Sequence, residues 1–532
     1  TCTARVPIYS LIHYNLTVVK VEKMVGIQEI SSFNTTSLAL ILPSLLLILA
    51  LSWRFMTTKP GKNNLPPSPP KVPILGNLFQ LGLLPHRTLA SLADRYGPVM
   101  LLHLGSVPTL VVSSAEAAKE IVKTHDLIFA NRPDASIQRR LLYDYKDLAL
   151  APYSEYWRQM RSICVLQLLS PKRVQSFRPI REEETLLMVQ KIEQTSLGSP
   201  VDLSQLFAGL TNDVVCRVAF GKKYSGGDGA QKFKKIMEEF GALLGTFNIA
   251  DFVPWLGWLN NFNGLNARVE RVFGELDSFF GQIVDDHLTK NGSDLKEDDM
   301  DFVDVLLRIQ KNGTDGVSIG IDNIKAMILD MFAAGNDTTQ TALEWAMTEL
   351  LRHPNVMNQA TEEVRHVVGN KPHVLEDDLP KMIYLKSVIK ESFRLHPPIP
   401  LLVPRESTED AKIRGYDIPA KTRVFINSWA IARDPSTWEE PEKFRPDRFL
   451  NSSVDFRGND MQLIPFGAGR RGCPGTTFAS ATIELALASL LHKFDWSLPG
   501  GARPEELDVT EASGLAIHRK SPLLAVASLR SI

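Results

Sequence analysis

A mainly helical fold with a minor β region is predicted by three observations. Long stretches repeat apolar residues at helical spacing, most clearly over 264–290, 321–352 and 476–493. Strand-like runs are short and few: Val99 to Leu104 and Thr109 to Val112 early in the chain, Arg423 to Ile426 and Leu523 to Val526 late. Strand and helix do not alternate, so a wound parallel sheet is not expected. The chain has 532 residues, of which 44% are hydrophobic, enough for a large buried core. No low-complexity linker and no internal repeat divides it, so one large domain over 75–532 is expected.

At the start of the chain, Ser37 to Trp53 carries no charge and is rich in leucine. With Phe33 to Thr36 it is long enough to cross a bilayer. Arg54, Lys59 and Lys62 follow it, and the positive-inside rule then leaves the bulk of the chain cytosolic. The rival reading is a cleavable signal peptide ending near Ala50-Leu51-Ser52; the length of the apolar run and the scarcity of cysteine weigh against it. The basic, proline-rich stretch over 54–74 contains Leu65-Pro66-Pro67-Ser68-Pro69-Pro70-Lys71-Val72-Pro73, a stiff hinge. In the preceding segment, 1–36, Met24 is the first methionine, and Arg5, Lys20 and Lys23 weaken the charge asymmetry. Residues 1–23 are therefore expected to be conceptual translation of untranslated sequence.

Further helical patterns fall around 112–124, 154–169, 180–196, 230–246, 355–368 and 380–394. The late strand-like pieces are expected to join the early ones in one small sheet. A formal net charge of −1 gives no reason to expect nucleic acid as a partner. The four cysteines, Cys2, Cys164, Cys216 and Cys473, form no CxxC pair and no disulfide framework. Cys164 and Cys216 stand in apolar helical stretches and read as buried thiols of a protein in a reducing compartment.

Cys473 is different. It sits in Phe466-Gly467-Ala468-Gly469-Arg470-Arg471-Gly472-Cys473-Pro474-Gly475, wrapped in glycine and arginine just before a helix. Glycines let the backbone turn sharply and come close. Their amides and a helix start at Pro474 favour negative charge on sulfur. Gly467, Gly469 and Gly472 also read G-x-G-x-x-G, with Asp495 at the distance of a ribose-binding acid. Too little chain follows for the remaining βαβ units, so a dinucleotide site is not expected.

The whole decapeptide resembles the haem-binding loop of the cytochrome P450 monooxygenases, and the likeness extends from about Leu65 onward. It implies a P450 fold behind an N-terminal anchor, with haem b bound axially through Cys473. Three more constellations agree. Ala334-Gly335-Asn336-Asp337-Thr338-Thr339 places poor helix formers in mid-helix. Threonine bonds to carbonyls one turn back bend or open a helix, leaving room for dioxygen and water. The resemblance gives Thr338 the proton-bearing water and Asp337 the relay from solvent; the bland alternative is a polar surface patch. Glu391 and Arg394 share a helix face, as a surface ion pair also would. With Arg448 in Phe444-Arg445-Pro446-Asp447-Arg448-Phe449 they resemble the family's Glu-Arg-Arg triad, a structural lock. Trp157 and Arg161, four residues apart, share another face. By resemblance Trp157, Arg161, Arg405 and Arg471 grip the haem propionates, while Phe466 borders the haem. Arg158 and Arg470 read as solvated charges or as part of a reductase-docking face.

The nearest likeness is to plant A-type microsomal enzymes of the 71 clan, carried by Pro152 to Arg161 and Pro465 to Gly475. It implies an endoplasmic reticulum membrane protein with one span, fed by NADPH–cytochrome P450 reductase. The implied reaction inserts one atom of O2 into a lipophilic specialised metabolite: a terpenoid, a coumarin or other phenylpropanoid, or an alkaloid. Pocket positions carried over are Ala333, Ala334, Leu401, Leu402, Val403 and Leu515, each of which reads equally as plain core. A haem-thiolate dehydratase or isomerase of the same fold, or a non-catalytic haem-binding protein, are the alternatives.

Overall fold

The strands are β1 (Val99–Leu104), β2 (Val107–Val112), β3 (Pro200–Asp202), β4 (Arg405–Glu406), β5 (Ala411–Ile413), β6 (Tyr416–Ile418), β7 (Arg423–Ile426), β8 (Phe494–Ser497) and β9 (Leu524–Leu529). The longer helices are α1 (Pro85–Tyr96), α2 (Glu155–Ile163), α3 (Arg178–Gln194), α4 (Leu203–Phe220), α5 (Asp228–Leu244) and α6 (Leu265–Lys290). They continue with α7 (Phe302–Asn312), α8 (Ile321–Arg352), α9 (Pro354–Val368), α10 (Ile383–Leu395) and α11 (Thr476–Lys493). This computed structural model describes residues 64–195, 198–224, 228–290, 299–313 and 319–530, with Pro43, Leu46 and Leu47. The segments expected at 1–36 and 37–53 lie otherwise outside the described residues. Among the described residues no helix is long and apolar enough to cross a membrane.

The predicted early strands pair as an antiparallel hairpin, Val99 opposite Val112, and β7 joins β2 in parallel with Leu110 opposite Val424. The sheet order is β1-β2-β7-β4. The last strand does not join it, contrary to expectation. β9 pairs instead with β3 and β8 in a separate sheet, Val526 lying opposite both Pro200 and Ser497. Ala525 and Ala527 of β9 are buried there, which fixes its register.

α8 is the axis of the core. It packs along α4, and at Gly335 a side chain would already meet Val215 at 3.3 Å, so glycine permits the close approach. α11 packs against α3, α8 and α9. Among the longer helices, periodicity does not predict α1 or α7, and of α4 it gives only the apolar helical stretch around Cys216. α4 buries residues on most of its circumference, including Phe207, Thr211, Val214, Val218 and Phe220. A helix buried all round shows no one-sided stripe. The helix predicted over 154–169 is α2 followed by a π-helical turn at Cys164–Leu168. The far half of the proline hinge is docked: the Leu101 N–H donates to Pro67 O at 2.9 Å, and the Asn77 amide donates to Pro70 O at 3.2 Å.

Candidate active site

The cysteine loop is built by backbone geometry. Gly467 and Gly469 adopt φ of +66° and +69°, a region that L side chains avoid. At Gly469 a Cβ would also lie 2.2 Å from Val122 O. The Cys473 N–H donates to Phe466 O at 2.9 Å, which closes the turn. The Phe466 ring is braced by Phe393 and Phe456 at 5.1 and 5.4 Å. α11 begins at Thr476, two residues beyond the expected Pro474. The Cys473 side chain lies deep among protein atoms, yet its surface is accessible. Both hold when a side chain faces an internal cavity. Burial pushes the thiol pKa up, and the Gly475 N–H, the Arg161 charge and the Thr476 hydroxyl oppose this without reversing it. The loop alone therefore does not make the thiolate that the glycines and helix start suggested; a bound cation at sulfur would have to complete it.

Arginines gather beside this thiol. Arg471 donates to Ala130 O at 2.7 Å, Ala151 O at 2.5 Å and Leu148 O at 3.3 Å, and its guanidinium lies 4.2 Å from the centre of the Trp157 ring. The Trp157 Nε1–H donates to Leu148 O at 3.0 Å. Arg161 donates to Gly472 O at 2.7 Å. Arg405 donates to Ala468 O at 2.9 Å and Phe129 O at 3.3 Å, with Asp126 at 3.6 Å. Arg132, which the sequence did not single out, is buried and donates to Ala149, Val403 and Pro404 carbonyls.

Nearly all these partners are neutral carbonyls. Burial accordingly pushes Arg471 down to about 9 and Arg405 to about 10, and lowers Arg132 and Arg161 as well. The nearby acids compensate poorly, because burial raises Asp126 and pushes Asp147 up to about 6. Buried cations in such excess call for an anionic ligand. A haem with two propionates fits this donor set, and the thiol fits its iron.

One acid was missed. Asp330 of α8 is buried, burial raises its pKa, and it accepts hydrogen bonds from the Leu148 and Ala149 N–H groups at 2.5 and 3.3 Å. It ties the loop carrying Tyr143, Asp144 and Tyr145, all at positive φ, to the central helix. Its signal was an acid inside the apolar run Met327 to Phe332. Arg158 and Arg470 are half-exposed but not free: Arg158 pairs with Glu155, and Arg470 with Asp126 at 3.2 Å.

α8 runs through Gly335 to Thr339 without interruption, so the expected opening of the helix is absent. The expected threonine bond is present: Thr338 Oγ1 donates to Ala334 O at 2.7 Å. Ala334 is exposed although Phe332 and Thr339 are buried, so this stretch of a core helix borders open space. Asp337 points to the C-terminal segment, where its Oδ1 lies 2.8 Å from His518 Nε2. Asn336 pairs with Thr211 of α4.

Glu391, Arg394 and Arg448 come together. Arg394 makes a two-pronged bond to Glu391 at 2.8 and 2.9 Å, and the Arg448 Nε–H reaches the same carboxylate at 3.1 Å. Glu391 also accepts the Arg445 N–H at 2.8 Å. The expected pocket residues divide. Ala333 packs against the main core, and Leu401 packs with the core beneath β1 and β2. Leu402 approaches the cysteine loop, 3.9 Å from where a Cβ on Gly467 would stand. Val403 offers its carbonyl to Arg132. Leu515 is exposed on a segment that comes against Gly245, just beyond α5.

The family model for cytochrome P450 matches residues 66–526. Cytochrome P450 736A117 of Prunus mume is 56% identical over 506 residues, 94% of this chain and 97% of that protein. Cytochrome P450 71A6 of Nepeta racemosa is 57% identical over 87% of this chain and 93% of its own length, and norfluorocurarine oxidase of Strychnos sp is 48% identical over 92% and 97%. A zebra fish cytochrome P450 structure with abiraterone superposes with a TM-score of 0.72 at 26% identity, covering 85% of this chain and all of that one. With the family model spanning most of the chain and plant relatives more than half identical over nearly all of it, the chain belongs to the cytochrome P450 family, the haem-thiolate monooxygenases, and stands among its plant members.

Proposed function

We propose that this chain inserts one oxygen atom from O2 into a lipophilic plant specialised metabolite of terpenoid, phenylpropanoid or alkaloid type. The electrons come from NADPH through a separate NADPH–cytochrome P450 reductase. The observation that carries this reading is an accessible thiol deep in the protein, acted on by Arg161, which belongs to a cluster of buried, under-compensated arginines with Arg471 and Arg405. Cys473 would hold the haem iron through its sulfur, and Trp157, Arg161, Arg405 and Arg471 would hold the propionates. Bound haem supplies the oxygen-splitting chemistry, which electron release from the thiolate favours.

The remaining work belongs to side chains. Thr338 spends its hydroxyl hydrogen on Ala334 O, which leaves its lone pairs to accept a hydrogen bond from water in the open space beside Ala334. Asp337, one residue back and half-exposed, passes protons from solvent toward that water. Of the expected pocket positions, Ala334 beside Thr338 and Leu402 beside the cysteine loop form the apolar wall that excludes other water and orients the substrate. The name of the Strychnos relative supports oxidation of a small organic molecule. The run Ser37 to Trp53 anchors the domain in the endoplasmic reticulum membrane, facing the cytosol.

The test is turnover of anchored protein with the reductase, NADPH and a panel of plant metabolites under isotopically labelled dioxygen. Substrate-dependent NADPH consumption with label in the product is expected. Oxygen-independent conversion would establish an isomerase or dehydratase instead. A haem that spectrally binds substrate without NADPH consumption would establish a carrier.

A further inference from the structure

The stripe Asp337, Thr341 and Glu344 lies on one face of α8, at spacings of one and two turns. It looks onto the C-terminal segment that carries His518. His518 Nε2 lies 2.8 Å from Asp337 Oδ1, and His518 Nδ1 lies 2.9 Å from Thr341 Oγ1. Thr341 is fully buried, and its hydroxyl donates to Asp337 O at 2.8 Å.

This arrangement determines the charge on the ring. A hydroxyl has one hydrogen, and Thr341 has spent it on the helix carbonyl, so it can only accept from Nδ1. An ionised carboxylate can only accept from Nε2. Both ring nitrogens must then carry hydrogen, which is the imidazolium form. The main chain holds the ring in place: the Ala512 N–H donates to His518 O at 2.8 Å, and the Ile517 N–H donates to Pro398 O at 2.9 Å.

We propose that His518 is the positioning residue for proton delivery: its imidazolium holds the Asp337 carboxylate and restores the proton that Asp337 passes toward Thr338. In each transfer the Nε2 proton moves to Asp337 Oδ1, leaving a neutral ring and a neutral carboxyl; the carboxyl then gives that proton to the water beside Thr338 and is a carboxylate again. The neutral ring then regains a proton from solvent, which reaches it because about a quarter of the side chain is exposed (28%). This inference rests on the monooxygenase reading above.

The surroundings favour the charged ring. Burial lowers its pKa, but the Asp337 bond and the charges of Asp337 and Glu344 raise it further, leaving it above the ordinary value. Glu344 is also bonded by Ser204. Arg519, the next residue, turns its guanidinium to Thr348 Oγ1 at 3.2 Å. A histidine with a raised pKa stays charged at low pH and loses its proton as pH rises through the folded value. Coupling of NADPH to product is therefore expected to fall along an alkaline limb set by His518.

The experiment measures product and peroxide per NADPH against pH for the anchored, haem-loaded protein with reductase. Wild type is compared with His518→Gln and Thr341→Val, and the substrate-binding spectral shift serves as a folding control. His518→Gln is expected to lose about tenfold in product per NADPH and to show no alkaline limb, a smaller effect than losing a direct acid–base group. Thr341→Val, which removes the acceptor for Nδ1, is expected to move the limb to lower pH, and it decides the matter if the glutamine variant does not load haem. Variants that turn over with wild-type coupling and the wild-type limb would overturn the role of His518 alone. A wild type that yields no oxygenated product would overturn the monooxygenase reading and this proposal with it.

Discussion

Arg394→Lys is expected to be nearly as damaging as Arg394→Met, each destabilising the protein by about 3–5 kcal/mol and preventing stable haem incorporation. Arg394 and Glu391 are fully buried. The guanidinium makes five hydrogen bonds, two to Glu391 and one each to the carbonyls of Ala432, Pro441 and Lys443. It also lies 5.3 Å from the centre of the Trp438 ring. Five donors in a planar fork meet five acceptors, and an ammonium offers three donors from a point. Lysine would thus leave buried carbonyls unpaired, while methionine would leave the buried Glu391 charge with only Arg448 and the Arg445 N–H. Against a total stability of roughly 5–15 kcal/mol, either loss is large. The segment these bonds hold leads into the cysteine loop, so thermal unfolding and haem content should fall together. A lysine variant with wild-type haem content and melting temperature would show that the triad locks nothing.

Thr338→Ala is expected to separate binding from chemistry. The alanine protein should fold normally, because back-bonding of a threonine to its own helix slightly destabilises the helix. Its substrate-induced spectral shift should match wild type. Product per NADPH should fall by about a hundredfold, the low end for a positioned proton-transfer group, with peroxide making up the difference. Thr338→Ser restores the hydroxyl and should recover most of the coupling. Equal coupling in alanine and wild type would remove Thr338 from proton delivery.

Much of this was legible in the chain because the relevant signals are local. The run from Phe466 to Gly475 announces its turn through glycines at positive φ, the periodic stripe of α6 shows where its apolar face lies, and α8 and α11 are legible as long apolar helical stretches. Glu391 and Arg394 are legible as a pair because they lie one turn apart, whereas Arg448 joins them in the sequence only through the family resemblance of Phe444 to Phe449. What stayed hidden depends on long-range pairing. His518 sits in Ile517-His518-Arg519-Lys520, which reads as an ordinary surface run until folding brings it to Asp337. Arg132 becomes buried only when Val403 and Pro404 close over it. The placement of β9 depends on β3, hundreds of residues away, and on β8, beyond the irregular stretch 498–523, and neither pairing leaves a local pattern. Glycine, asparagine and threonine in α8 suggested a broken helix, but packing against α4 holds it continuous. Propensity is a weak prior where tertiary contacts are dense.

The central claim is that Cys473 ligates haem iron as a thiolate, with Arg471 and Arg405 serving the propionates and Thr338 serving proton delivery. The difference spectrum of reduced protein with and without carbon monoxide tests it most directly, for wild type and Cys473→Ser loaded with haem. The account predicts a strongly red-shifted Soret band in wild type that is lost in the serine variant. A wild type that binds haem without that band, or a serine variant that keeps it, would contradict the account.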